Sequence, residues 1–250
     1  MADASSPMFV LALLLAGAAS GFLNVVAGGG SLITVPLLIF LGLPETTANG
    51  TSRLAIFVQC VPALIAYRRA GQLDVPLLRK LGPPALVGAL LGALIGARLP
   101  DAGFRTLLGG VMLACAVLVV VKPPVRAPGA ELRLSAARVV PLLFAIGVYG
   151  GLVQASVGYL ILAALTFGLG LGLQAANVMK TVLVALYTPL AIAVFAANGR
   201  IDFASGAILC VGSAFGGWLG ANEALRRGER FIRVVLAIVV LASGLKLLLS

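Results

Sequence analysis

Two polar, glycine-bearing interruptions stand inside otherwise apolar sequence, and they are the residues best suited to bind a ligand. The first, NVVAGGGS, runs from Asn24 to Ser31, and the second, QASVGY, runs from Gln154 to Tyr159. A chain that reverses inside a membrane leaves backbone N–H groups without helical partners, and such groups are tolerated only in the protein interior or beside a wet cavity. At the start of the next helix these groups favour an anion. The spacing therefore predicts two anion-binding turns, although close helix packing is an alternative explanation of the glycines.

Two cations follow the turns in matching polar groups. ANGTSR ends at Arg53, and ANVMKT contains Lys180. Each cation lies at or inside a helix end beside neutral polar residues, where an unpaired charge is costly and an anionic partner is indicated. The alternative is that both side chains snorkel to the lipid headgroups.

Other chemistry is poorly supported. The chain has no His, and its three cysteines, Cys60, Cys115 and Cys210, are far apart. The carboxylates fall at segment ends or joints, so no proton relay is indicated in the middle of a span. We therefore expect no metal, no cofactor and no enzymatic activity.

The composition of the chain indicates that these residues lie in a membrane. Of the 250 residues 61% are hydrophobic and 10% are charged, against about 25% charged in soluble domains. The net charge of +10 is concentrated in short joints between apolar runs, which is typical of the positive-inside pattern rather than of nucleic-acid binding. The chain is predicted to be an all-α integral membrane protein.

Apolar runs predict about ten helical segments. Two of them are shorter than the roughly 20 residues that cross a bilayer, so each is predicted to form a re-entrant hairpin with its predecessor. The segments are 8–27, 31–43, 47–67, 75–97, 104–121, 139–157, 159–173, 178–197, 203–222 and 231–249, the short ones being the second and the seventh.

The two halves of the chain repeat. Asp74 and Asp202 end the similar stretches AYRRAGQLD and VFAANGRID, and each half has a stripe of glycines four residues apart that is expected to serve helix packing. Five segments per half, an odd number, make the repeat inverted. We predict a first repeat over 1–122, a basic cytoplasmic linker over 123–138 and a second repeat over 139–250, with the site near the midplane. The stripes are Gly88, Gly92, Gly96 and Gly212, Gly216, Gly220.

Orientation follows from the basic joints. The joints after the third, fifth and ninth segments are rich in Lys and Arg and are predicted to be cytoplasmic. The chain is then a multi-pass protein of the inner (cytoplasmic) membrane with both termini outside.

The first-half stretch GFLNVVAGGGSLITVPLLIFLGLPETTANGTSRLAIF resembles the signature of the TauE/SafE sulfite exporter family, and AANVMKT is similar to the family's second copy. The resemblance covers essentially the whole chain and implies transport of sulfite, thiosulfate, sulfoacetate or a related sulfonate. Because Tyr159 stands where Gly29 stands, the first turn is expected to approach the substrate with its backbone. The predicted substrate-binding residues are Asn24, Gly28, Gly29, Gly30, Ser31, Arg53, Gln154, Ser156, Gly158, Tyr159, Asn177 and Lys180.

The resulting prediction is a secondary transporter that exports a small sulfur-containing anion by alternating access. The expected partners are the substrate and the lipid bilayer, with a homodimer possible. An anion channel would share the cationic site, and a membrane enzyme or assembly factor is the remaining alternative.

Overall fold

The computed structural model describes residues 7–110 and 136–249, with side chains described for 7–110 and 138–236. Within these ranges the chain is entirely helical, with no strand, which confirms the predicted all-α class. The helices are α1 (Pro7–Val26), α2 (Ser31–Phe40), α3 (Glu45–Arg69), α4 (Val75–Gly96), α5 (101–110), α6 (Ala136–Leu152), α7 (Val157–Ala163), α8 (Leu173–Ala197) and α9 (Phe203–Leu249).

Among the described residues, five helices are long and apolar enough to span a bilayer: α1, α3, α4, α8 and the Phe203–Leu236 part of α9. The central pair is α3 and α8, in which 56% and 61% of the most apolar stretch is buried, against 39% in α1 and α4. These two helices carry Arg53 and Lys180, so both cations belong to the interior of the bundle.

Two predicted boundaries need correction. The joint expected between 222 and 231 is helical, and α9 breaks only at Gly228, whose φ of 67° is accessible to a residue without a β-carbon. The seventh segment starts at Val157 and ends in a π-helical turn, Ala164–Gly168, instead of running to 173. Cys115 and most of the predicted linker 123–138 lie outside the described residues.

Both short helices form hairpins with the helix before them. The chain turns between α1 and α2 through residues 27–30, called here the first tip, and between α6 and α7 through residues 153–156, called the second tip. All residues of both tips are buried. The ten residues of α2 extend about 15 Å, half the thickness of a bilayer core.

The two glycine stripes pack as predicted, and each packs on the opposite half of the chain. In α4, a β-carbon on Gly92 would lie 2.8 Å from the backbone nitrogen of Leu152 in α6. In α9, a β-carbon on Gly216 would lie 2.8 Å from the backbone nitrogen of Phe22 in α1. Since only glycine allows such an approach, the stripes fix α4 on α6 and α9 on α1 with their backbones in contact.

Candidate functional site

Inside the bundle, the first tip contacts the start of α7 and the second tip contacts the start of α2. A β-carbon on Gly28 would lie 2.7 Å from the carbonyl carbon of Gly158, and one on Gly158 would lie 2.5 Å from the Cα of Gly28. The backbone N–H of Ser156 donates a hydrogen bond of 3.3 Å to the hydroxyl of Ser31. Gly28 and Gly158, which are 130 positions apart in the sequence, therefore pack against each other, and the two hairpins form one structural unit.

Both tips have left-handed backbone. Gly28 has a φ of 96°, which glycine adopts readily, while Gln154 and Ser156 have φ values of 63° and 59°, which are uncommon for residues that have a β-carbon. In the second tip these conformations cost of order 1–3 kcal/mol each, and strained residues of this kind concentrate at ligand sites and switch regions.

A cavity of about 20 Å³ lies beside the joined tips. This volume suits about one water molecule, so the cavity is too small for a sulfur oxyanion unless the tips or helices move apart. Six of the twelve predicted site residues line it: Asn24, Gly28, Ser31, Gln154, Gly158 and Lys180. The lining also contains residues that were not predicted: Val25, Ile56, Gln59, Cys60, Val157, Thr181 and Val184.

The ammonium group of Lys180 is buried and fully hydrogen-bonded. It donates to the carbonyl oxygens of Asn24 at 2.8 Å and Val25 at 3.1 Å, and to Oδ1 of Asn177 at 2.7 Å. Two of these acceptors are at the C-terminal end of α1, where the helix dipole is negative and stabilises a cation. Lys180 is 2% exposed and does not reach the headgroups, which rules out snorkelling.

Arg53 makes the corresponding contacts from the other half of the chain. Its Nη2 donates to the carbonyl of Gly151 at 2.7 Å and its Nη1 to that of Gly150 at 3.1 Å, both near the C-terminal end of α6. The guanidinium lies 4.5 Å above the ring of Phe195, a cation–π contact. Arg53 is completely buried, so it does not snorkel either, and it does not line the cavity.

Neither cation has an acidic partner among the described residues. The recorded ion pairs within those ranges involve other arginines: Arg105 with Glu45, Arg200 with Asp101, and Arg227 with Glu223. Among the described residues, the two basic side chains of the interior are therefore paired only with helix ends, neutral polar groups and the ring of Phe195.

The amides of Asn24 and Gln154 are held in fixed orientations. Oδ1 of Asn24 accepts a hydrogen bond of 2.8 Å from the backbone N–H of Gly30. Oε1 of Gln154 accepts from Nη1 of Arg53 at 3.5 Å and from the hydroxyl of Tyr187 at 3.3 Å. Since both oxygens are occupied, the NH₂ groups are the atoms of these amides that are available to a ligand.

The remaining predicted residues serve packing or support. A β-carbon on Gly29 would lie 2.6 Å from Cζ of Tyr159, and one on Gly30 would lie 2.7 Å from the carbonyl carbon of Ser20. These two glycines therefore accommodate neighbouring atoms and leave no open approach for a ligand to their α-carbons. Asn177 holds Lys180, and Ser156 precedes α7 at the second tip. The first turn thus contributes Gly28, Ser31 and the Asn24 side chain to the cavity, not its whole backbone.

Gln59, like Thr181, is a polar lining residue that the sequence did not predict. It is 2% exposed, and its Oε1 has no hydrogen-bond partner among the described residues. A signal was present, because Gln59 interrupts the apolar run LAIFVQCVPALIA of α3, and polar residues inside spans are frequently functional.

The start of α3 is held by charged groups at the edge of the bundle. Oδ1 of Asp101 accepts a hydrogen bond of 3.0 Å from the backbone N–H of Thr46, and hydrogen bonding with Thr46 lowers the pKa of Asp101. At the corresponding place before α8, Oε1 of Glu229 accepts from the backbone N–H of Gln174 at 3.4 Å. Both carboxylates therefore stabilise the positive end of a central helix.

No cluster of three His, Cys, Asp or Glu side chains that could hold a metal ion occurs among the described residues. The chemistry that the site offers is thus electrostatic attraction and hydrogen bonding from backbone and amide groups.

Comparison with known proteins identifies the family. The profile described as Sulfite exporter TauE/SafE matches residues 13–247. Probable membrane transporter protein ORF9 of Sinorhizobium sp is 26% identical over 94% of this chain and 91% of its own length. YfcA of Escherichia coli (strain K12), also called a probable membrane transporter protein, is 25% identical over 97% of this chain and 91% of its own. No solved structure matches the chain. Because the profile covers nearly the whole sequence, the protein belongs to the TauE/SafE sulfite exporter family.

Proposed function

We propose that this protein is a secondary transporter that exports a small sulfur-containing anion across the inner membrane by alternating access. The observation that carries the proposal is the pair of buried cations, Arg53 and Lys180, beside two joined turns and a polar cavity. Sulfite, thiosulfate, sulfoacetate and related sulfonates are the candidate substrates, as the family name suggests.

The electrostatics favour an anion. In its protonated form each of the two side chains carries a full positive charge, while the helix end that it contacts is equivalent to about half a negative charge. The part of the positive charge that the helix end does not balance attracts an anion, and this attraction is stronger in a medium of low dielectric constant than in water. An inside-negative membrane potential then favours exit by roughly 2.3 kcal/mol per charge per 100 mV.

An inverted repeat supports alternating access. The glycine stripe of α4 packs on α6, and that of α9 packs on α1. The first helix of each half therefore packs against the glycine stripe of the other half. Asp101 and Glu229 hold the starts of α3 and α8 in the same way. Two oppositely oriented five-segment halves with both termini outside would place the tips at the midplane, as in other transporters of this design.

The size of the cavity favours a transporter over an anion channel. A conducting pore needs a continuous polar path, whereas the space beside the tips is about 20 Å³. A carrier passes through a closed state in which the substrate site is sealed, and the two hairpins provide elements that could separate on either side.

The test is transport by the purified protein in liposomes. We expect sulfite, thiosulfate or sulfoacetate to move down an imposed gradient, with saturation and without the unitary currents of a channel in electrical recordings. Lys180→Met should lower the flux at least tenfold, because an interior charge is worth more than 1.4 kcal/mol to an anion.

Lys80→Met is the matched control, since Lys80 is exposed in α4 and should leave the flux unchanged. The substrate assignment is wrong if none of the three anions moves in excess of empty vesicles. Unitary currents in the electrical recordings would show that the protein is a channel and not a carrier.

A further inference from the structure

Two polar atoms of the cavity lining are left without partners, and they are of opposite kinds. Nδ2 of Asn24 is a buried hydrogen-bond donor, and Oε1 of Gln59 is a buried acceptor; neither has a partner among the described residues. Both residues line the same cavity. Because buried polar groups are nearly always hydrogen-bonded, two such atoms at one cavity indicate a partner that both accepts and donates. The cavity as it stands has room for one water molecule in this role, and a ligand takes the place of that water when the hairpins move apart.

The cations cannot replace these groups as direct hydrogen-bond donors to a ligand. All three N–H bonds of the Lys180 ammonium are used by Asn24, Val25 and Asn177. Arg53 is outside the cavity lining: its Nη atoms donate to carbonyls and to Gln154, and its Nε, which has no partner among the described residues, does not reach the cavity either. The cations therefore supply the electrostatic field, and the amides supply the hydrogen bonds.

The identity of the free donor is fixed by geometry. Since Oδ1 of Asn24 accepts from Gly30, the amide cannot flip without losing that bond, and Nδ2 remains the donor. Gln154 is held likewise, because its Oε1 accepts from Arg53 and Tyr187. Asn24 near the end of α1 and Gln154 in the second tip thus each bring an amide NH₂ to the cavity lining, and Gln59 adds an acceptor.

We propose that Gln59 is a specificity-determining residue that selects a monoanionic oxyanion carrying a hydroxyl group. Hydrogensulfite is the simplest sulfur compound of this class: its oxygens accept from Asn24 and Gln154, and its hydroxyl donates to Oε1 of Gln59. Fully deprotonated or alkylated anions lack the proton that Gln59 requires. This inference rests on the proposed transport of a sulfur anion and names the form that is bound.

The experiment compares two anions of equal charge and similar size. Hydrogensulfite, at mildly acidic pH, and methanesulfonate are titrated calorimetrically into the full-length protein in lipid nanodiscs. We expect hydrogensulfite to bind at least tenfold more tightly, because methanesulfonate replaces the hydroxyl with a methyl group and leaves Oε1 of Gln59 unpaired.

The variant Gln59→Met removes the acceptor at nearly constant side-chain length. The tenfold preference should disappear in this variant while the melting temperature stays the same or rises, since Oε1 has no partner in the protein to lose. Gln72→Met is the matched control, because Gln72 is exposed in the turn after α3, and it should retain the preference.

Equal affinity for the two anions in the unsubstituted protein, or a preference that survives Gln59→Met, would overturn the role of Gln59 and leave the proposed transport intact. A clear fall in the melting temperature of Gln59→Met would assign Gln59 to structure instead. Failure of the proposed function has a different signature, in which neither anion binds and no sulfur anion moves in liposomes.

Discussion

The contact between the two tips can be tested by placing a methyl group on Gly28. Gly28 has a φ of 96°, so an alanine there carries backbone strain of about 1–2 kcal/mol. Its β-carbon would also lie 2.7 Å from Gly158, and forcing such an overlap costs about 1–3 kcal/mol more. We expect Gly28→Ala to lower the free energy of unfolding by roughly 2–5 kcal/mol.

Gly42 provides a matched control for the strain alone. Its φ is 98°, almost the same as that of Gly28, but nothing lies within 4 Å of a β-carbon built there. Gly42→Ala should therefore cost about 1–2 kcal/mol. The difference between the two variants measures the tip-to-tip contact, because the loss of glycine freedom in the unfolded chain is common to both.

The assay is denaturant unfolding in detergent micelles, followed by helical circular dichroism, together with anion binding to each variant. Gly158→Ala adds a second reading, since Gly158 is helical and its β-carbon would lie 2.5 Å from the Cα of Gly28. Equal destabilisation by Gly28→Ala and Gly42→Ala, with Gly158→Ala neutral or stabilising, would refute the contact between the tips.

Two further predictions concern charged groups. Arg53→Lys keeps the positive charge but loses the planar guanidinium that donates to Gly150 and Gly151, so the free energy of unfolding should fall by about 1–3 kcal/mol and transport should weaken. The control Arg68→Lys, at an exposed position, should leave the free energy of unfolding unchanged. An unchanged free energy of unfolding in Arg53→Lys would contradict the importance of the guanidinium geometry. Because the pKa of Asp101 is lowered in the folded protein, its contribution to stability is present above the unfolded pKa of about 3.9 and is lost as the pH falls through the folded value. Asp101→Asn should flatten this acid dependence in thermal unfolding, and an unchanged profile would show that another group causes it.

Sequence reasoning located the helices and the turns well because lipid imposes simple rules. Long apolar runs must be helical in a membrane, and a cluster of Asn, Gly and Ser inside such a run marks a reversal. The same reasoning placed the Gly88 and Gly212 stripes in helix packing, which the structure confirms. The predicted joint between 222 and 231 contains the break at Gly228 but is too long, since the basic residues before Gly228 continue the helix and only the positive φ of Gly228 interrupts it.

The sequence by itself therefore determined the all-helical membrane class, the family, the two turns and the two unusual cations. Only the tertiary structure decided which atoms meet. Lys180 could contact lipid, a ligand or a helix end, and its actual partners, Asn24 and Val25, precede it by 156 and 155 positions in the chain. No local sequence pattern predicts a contact over such a separation. Likewise, Gln59 is an ordinary interruption in α3 until packing brings it to the cavity with Asn24, because unpaired donors and acceptors can be recognised only when all their neighbours are known.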